Sequence, residues 1–113
     1  MAVRQLLGEV EQLVLLAILR IGEGAYAVPI REELERHGGV SLSRGTIYVT
    51  LDRLERKGYV SSTFADPTPE PGGKARRCFR IERAGLGALR AAQRMVDGMR
   101  AGTVLETKGP RSR

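Results

Sequence analysis

The sequence predicts a mainly α-helical domain with one small β-hairpin, in the order helix, helix, helix, strand, strand, helix (α-α-α-β-β-α). Three observations carry that prediction. Three segments of helical apolar periodicity fill the first half of the chain, each followed by glycine. Two short alternating runs, residues 59–64 and 77–81, flank a stretch rich in Pro and Gly. A last amphipathic segment begins near residue 82. With 113 residues, 42% hydrophobic and 28% charged, the chain has room for one ordered domain. Absence of Trp, with three Tyr and two Phe, leaves its core aliphatic.

The first helix is expected over residues 8–21, where Val10, Leu13, Val14, Ala17, Ile18 and Ile21 share one stripe. Leu15, Leu16 and Leu19 widen that stripe, so the helix needs two packing partners, its own core and a second subunit. Pro29 suits the first turn of the second helix, where a missing N–H costs nothing. Ile30 and Leu34 face inward there, and Gly38-Gly39 stops the helix. His37 has no second His nearby and reads as a cation complementing the helix C-terminus rather than as a metal ligand. Ser43 is a good N-cap for the third helix, whose inner stripe is Ile47, Leu51 and Leu54, and Gly58 closes it.

In the second strand, alternation puts Arg76, Cys78 and Arg80 on one face and Arg77, Phe79 and Ile81 on the other. With Phe79 and Ile81 inward, Arg76 and Arg80 form the outward pair. The final helix carries a seam of Leu86, Leu89, Ala92 or Gln93, Val96 and Met99 near heptad spacing, weakened by Gly85, Gly87 and Gly98. The domain therefore spans residues 1–101, and residues 102–113 read as a disordered basic tail.

The net charge of +6 implies a polyanionic partner, and its distribution is uneven. Between Lys74 and Arg94 there are seven basic residues and one acid, Glu82. The single cysteine, Cys78, excludes an internal disulfide and suits a reducing compartment. No secretory pattern is present, and the apolar run 13–19 is far too short to span a bilayer, so a cytoplasmic, membrane-free protein is expected. No catalytic constellation, metal-ligand cluster or cofactor motif stands out, so an enzyme is not expected. The pattern leaves room for a small-molecule effector but names none.

The element order is that of a winged helix-turn-helix, in which the third helix enters the major groove of double-stranded DNA. Its inner stripe leaves Gly45, Val49, Asp52 and Arg56 pointing away, with Thr46, Thr50 and Arg53 on one flank and Tyr48 on the other. The first turn, Ser43-Arg44-Gly45-Thr46, is small and polar, so it allows close approach to a sugar-phosphate chain. Arg44 is the best candidate for a bidentate contact to guanine or phosphate. Gly72-Gly73 at the hairpin tip makes a loop thin enough for a minor groove, with Lys74 and Arg76 beside it. The expected DNA-binding set is Ser43, Arg44, Gly45, Thr46, Tyr48, Val49, Arg53, Gly73, Lys74 and Arg76. Arg44→Ala should reduce sequence preference, whereas Lys74→Ala should weaken binding evenly across sequences.

Two blocks, Gly45-Thr-Ile-Tyr-Val-Thr-Leu-Asp-Arg-Leu-Glu-Arg-Lys-Gly-Tyr-Val60 and Gly72-Gly-Lys-Ala-Arg-Arg-Cys-Phe-Arg-Ile-Glu-Arg-Ala-Gly-Leu-Gly-Ala-Leu89, resemble the PadR family of bacterial transcriptional regulators. The resemblance runs from Leu6 to about Met99. It implies a homodimer that binds palindromic operator DNA, generally as a repressor. By position it makes Tyr48 the recognition-helix tyrosine and Gly73 with Lys74 the wing tip. It also implies dimerisation through the first and last helices, for which Leu13, Leu16, Ile21, Leu89, Val96 and Met99 are the candidates. Two features depart from the family: Cys78 replaces an aromatic residue, and the start of the last helix is unusually Gly-rich. Cys78 reads as a small half-buried strand residue, with a redox-sensing thiol among arginines as its alternative. The rival to a DNA-binding role is a winged helix used only for protein contacts.

Overall fold

The computed structural model describes residues 6–65 and 76–106. It contains α1 (Glu9–Ile21), α2 (Ala27–Gly38), α3 (Arg44–Arg56), β1 (Val60–Phe64), β2 (Arg77–Ile81) and α4 (Arg83–Arg100). The expected order of elements is the observed one. A single 3-10 turn at Val104–Glu106 occupies the start of the stretch read as tail, and residues 107–113 lie outside the described residues.

Local chemistry sets the helix ends. The Ser43 hydroxyl accepts the Thr46 N–H at 3.1 Å, satisfying one of the free donors of the first turn of α3. At the other end, Gly58 takes φ +79, a left-handed conformation that lets the chain leave α3 directly into β1. Pro29 lies in the first turn of α2, as its lack of an N–H requires.

The three helices close around Leu15, Ile18, Ile30, Ile47, Leu51 and Leu54, all essentially without solvent contact. All but Leu15, which the sequence sets beside the α1 stripe, belong to the stripes that periodicity selects, and burying each such side chain stabilises the fold by about 1.5–3 kcal/mol. The strands pair antiparallel, with Val60 opposite Ile81 and Phe64 opposite Arg77. Phe79 is buried, and its N–H donates to the Ala25 carbonyl at 2.7 Å. That bridge fastens the root of the hairpin to the α1–α2 connection.

The helix α4 packs against α1 and starts hard against the β1 entrance. The Glu82 N–H donates to the Tyr59 carbonyl at 2.9 Å, and a Cβ on Gly85 would lie 2.2 Å from that same oxygen. Of the two residues that could continue the seam, Ala92 is buried and Gln93 exposed. A second long-range tie joins α1 to the end of α3. The Glu11 carboxylate, inside the structure, accepts the Lys57 ammonium at 2.8 Å and the Gly8 N–H at 2.8 Å. Burial alone would raise the Glu11 pKa. The hydrogen bonds from Lys57 and Gly8, with the charges of Lys57 and Arg53, outweigh it and hold the carboxyl below its ordinary value.

Some placements differ from those the sequence suggests. Leu89, expected to face a second subunit, is 3% exposed within the chain's own core. Thr50 is buried rather than flanking the outer face, because its hydroxyl donates to the Thr46 carbonyl at 2.7 Å and needs no water. Leu13, Leu16 and Ile21 are half-buried against the core, whereas Val96 and Met99 stand 52% and 81% exposed.

Candidate nucleic-acid interface

The outer surface of α3 is built from its first turn upward. Ser43, Arg44, Gly45, Thr46, Tyr48, Val49 and Arg53 are all exposed, so the structure brings together the seven α3-region residues the sequence selects. Ser43 is held twice, since its hydroxyl also donates to Thr46 Oγ1 at 2.9 Å. The result is a rigid, small, polar helix start, with the Arg44 side chain beside it. Tyr48 and Val49 remain 42% and 55% exposed, an apolar pair on a helix whose other apolar residues are buried. Such side chains suit thymine methyls and the sugar edge of a groove. Beside Arg44, a cleft of about 210 Å³ reaches Val28 and Arg31 of α2, so the two helix starts share one surface.

Charge pairing divides the arginines into two groups. On α1 and α2 they are paired: Arg20 and Arg36 share Glu33 at 2.9 and 3.0 Å, and Arg31 lies 3.8 Å from Glu35. Arg44, Arg53 and Arg56 of α3, and Arg80 of β2, form no ion pair among the described residues. Net positive charge therefore stays where a groove-binding helix and wing would need it.

The hairpin contributes less than its composition suggests, because two of its arginines are already engaged. Arg77 points at α3, where it meets Asp52 at 3.2 Å, the Glu55 carboxylate, and the Ser62 hydroxyl at 3.2 Å. Ser62 in turn donates to Glu55 at 2.8 Å. Asp52, placed on the outward face by helical phase, thus belongs to the brace between wing and α3. Arg76 is exposed, with its guanidinium 5.0 Å from the centre of the Tyr26 ring at the wing root. Arg80 is the exposed cation of β2, as alternation places it, although it was not among the expected contacts. Gly73 and Lys74 lie outside the described residues.

Cys78 is half-buried, opposite Thr63. Among the described residues no cluster of His, Cys, Asp and Glu could hold a metal ion. None of their helices is long and apolar enough to cross a membrane.

The profile of the transcriptional regulator PadR-like family matches residues 15–91, more than half of the chain. A PadR family transcriptional regulator from Eggerthella lenta is 30% identical, with 88% of each chain covered and a TM-score of 0.63. A PadR family regulator from Clostridium difficile superposes at a TM-score of 0.66 with 20% identity, over 82% of this chain and 95% of that one. A PadR-like transcription factor from Bacteroides fragilis gives 0.67 with 22% identity, over 80% and 82%. No curated protein matches significantly. The family match, the shared winged-helix fold and the exposed cationic α3 agree, and the chain belongs to the PadR-like family of DNA-binding transcriptional regulators, which are not enzymes.

Proposed function

We propose that the chain acts in the cytoplasm as a homodimeric repressor on a palindromic operator, with α3 in the major groove and the wing against the minor groove. The observation that carries this reading is the segregation of arginines. Those on α1 and α2 are paired with acids, and Arg77 of β2 is tied to Asp52 and Glu55, whereas Arg44, Arg53 and Arg56 of α3 and Arg80 of β2 form no ion pair among the described residues. In this reading residues 1–101 form the DNA-binding and dimerising unit and residues 102–113 a basic tail.

The dimer rests on apolar surface that a monomer leaves bare. An open groove of about 660 Å³ between the start of α1 and the end of α4 is lined by Leu6, Met95, Val96, Met99, Val104 and Leu105, among others. Exposure of that many large apolar residues on one face marks an association surface. Met99 protrudes without supporting the core, so Met99→Glu should leave the fold intact yet shift sedimentation from dimer to monomer at micromolar protein. A wild-type chain that sediments as a monomer there would remove the dimer from the reading.

Fluorescence anisotropy with a labelled fragment of the gene's own upstream region tests the DNA role. Affinity should fall steeply as salt rises, because each neutralised phosphate releases counterions. Arg44→Ala should cost about 1–3 kcal/mol on the operator and less on random duplex, narrowing the preference between them. Flat salt dependence, or equal binding to operator and random DNA, would favour the protein-contact reading instead.

A further inference from the structure

The α4 helix carries a second cationic surface that neither α3 nor the wing explains. Arg83, Arg90 and Arg94 are spaced seven and four residues apart, so they fall on one stripe. At 1.5 Å per residue that stripe is about 17 Å long. All three are exposed, and none forms an ion pair among the described residues. No acid lies between Arg83 and Val96, and the one acid of α4, Asp97, meets Arg100 at 2.6 Å. Glu82 accepts the Ser61 hydroxyl at 2.5 Å instead of serving the stripe.

Surface helices commonly offset such cations with acids three or four residues away, and this one does not. The apolar side of α4, with Ala88, Ala92, Met95 and Met99, faces the opposite way. Packing of that side on α1 or on a second subunit therefore leaves Arg83 and Arg90 open, and Arg94 stands at the edge of the groove that α4 forms with Leu6 and Tyr59. The stripe starts three residues after Arg80, the exposed cation of β2, and so lies within about 10 Å of it along the chain. Arginine rather than lysine at each position offers a planar fork suited to phosphate oxygens. Between the arginines the face carries Gly87, and the one large apolar neighbour, Leu86, is half-buried against the domain, which disfavours insertion into a lipid surface.

We propose that Arg83, Arg90 and Arg94 form a phosphate-binding track that extends contact with duplex DNA beyond the segment engaged by α3 and the wing. The proposal rests on the DNA-binding reading above. It is tested with the full chain and the Arg90→Ala/Arg94→Ala variant, whose substitutions are solvent-facing and favour helix. Two duplexes carry the same operator core, one blunt at its ends and one with about ten further base pairs on each side, roughly one helical turn.

The parent should bind the longer duplex more tightly. On it the variant should bind about tenfold to fiftyfold more weakly, with a log–log salt slope shallower by about two. On the short duplex the two proteins should be indistinguishable. Equal binding by both proteins on the long duplex, or an equal loss on both duplexes, would overturn the track. So would loss of binding to phosphatidylserine vesicles with DNA binding intact. If the parent shows no operator preference at all, the operator reading fails separately. The track is then judged on long random duplex, where the variant must still show the shallower slope.

Discussion

Gly85→Ala is expected to cost about 3 kcal/mol of folding stability, because the added methyl has nowhere to go. Its carbon would sit 2.2 Å from the Tyr59 carbonyl oxygen and 2.9 Å from the carbonyl carbon. These are backbone atoms, and the same oxygen already accepts the Glu82 N–H that starts α4. Relief requires the helix to move off β1, which also disturbs the neighbouring Val60 and Leu89 in the core. Helix propensity alone predicts the opposite sign, a gain of up to about 1 kcal/mol for glycine to alanine within a helix. Gly98→Ala supplies the control. It lies in the same helix, exposed, with nothing within 4 Å of the new methyl, and should show that gain. Thermal melts followed by circular dichroism should place Gly85→Ala roughly 10–20 °C below the parent and Gly98→Ala a few degrees above it. If Gly85→Ala melted with the parent, the close approach of α4 to Tyr59 would be wrong.

That pair also shows where sequence reasoning stops. Periodicity and caps located α3, its Ser43 start and the inward Ile47, Leu51 and Leu54, because each depends on neighbours within a turn. The exposed set on α3 follows by subtraction, so the outer surface of that helix was legible wherever a helical wheel suffices. What was not legible depends on partners distant in the chain. All three glycines of α4 look alike in sequence, yet one of them touches the backbone of a residue 26 positions earlier. Arg77 was assigned to the correct face of β2, but its use depends on Asp52 and Glu55 waiting on α3. Counting it with the wing cations overstated the charge free to meet DNA. Thr50 misled in the other direction, since a hydroxyl that bonds its own helix behaves as a small core residue.

Glu11→Ala should be nearly as damaging as the glycine change, by about 3 kcal/mol, for an electrostatic reason. Glu11 and Lys57 are 46 positions apart, with side chains only 6% and 16% exposed. Removing the carboxylate leaves the ammonium inside the protein without its counter-charge and frees the Gly8 N–H. Removing both charges is different. Glu11→Gln/Lys57→Met keeps an acceptor for Gly8 and buries no ion, so it should recover most of the loss. Acid provides the second readout. The Glu11 pKa is lowered on folding, so the unfolded chain binds the extra proton first. The stabilisation is fully present above the unfolded carboxylate value and disappears as pH falls through the folded one. Urea midpoints at about pH 7 and about pH 3 should therefore differ more for the parent than for the double variant. If Glu11→Ala matched the parent at neutral pH, or the double variant lost as much stability on acidification as the parent, the pair would not be the clamp between α1 and α3. Because Lys57 immediately follows Arg56 at the end of α3, a loosened clamp should also lower operator affinity in Glu11→Ala before the domain unfolds.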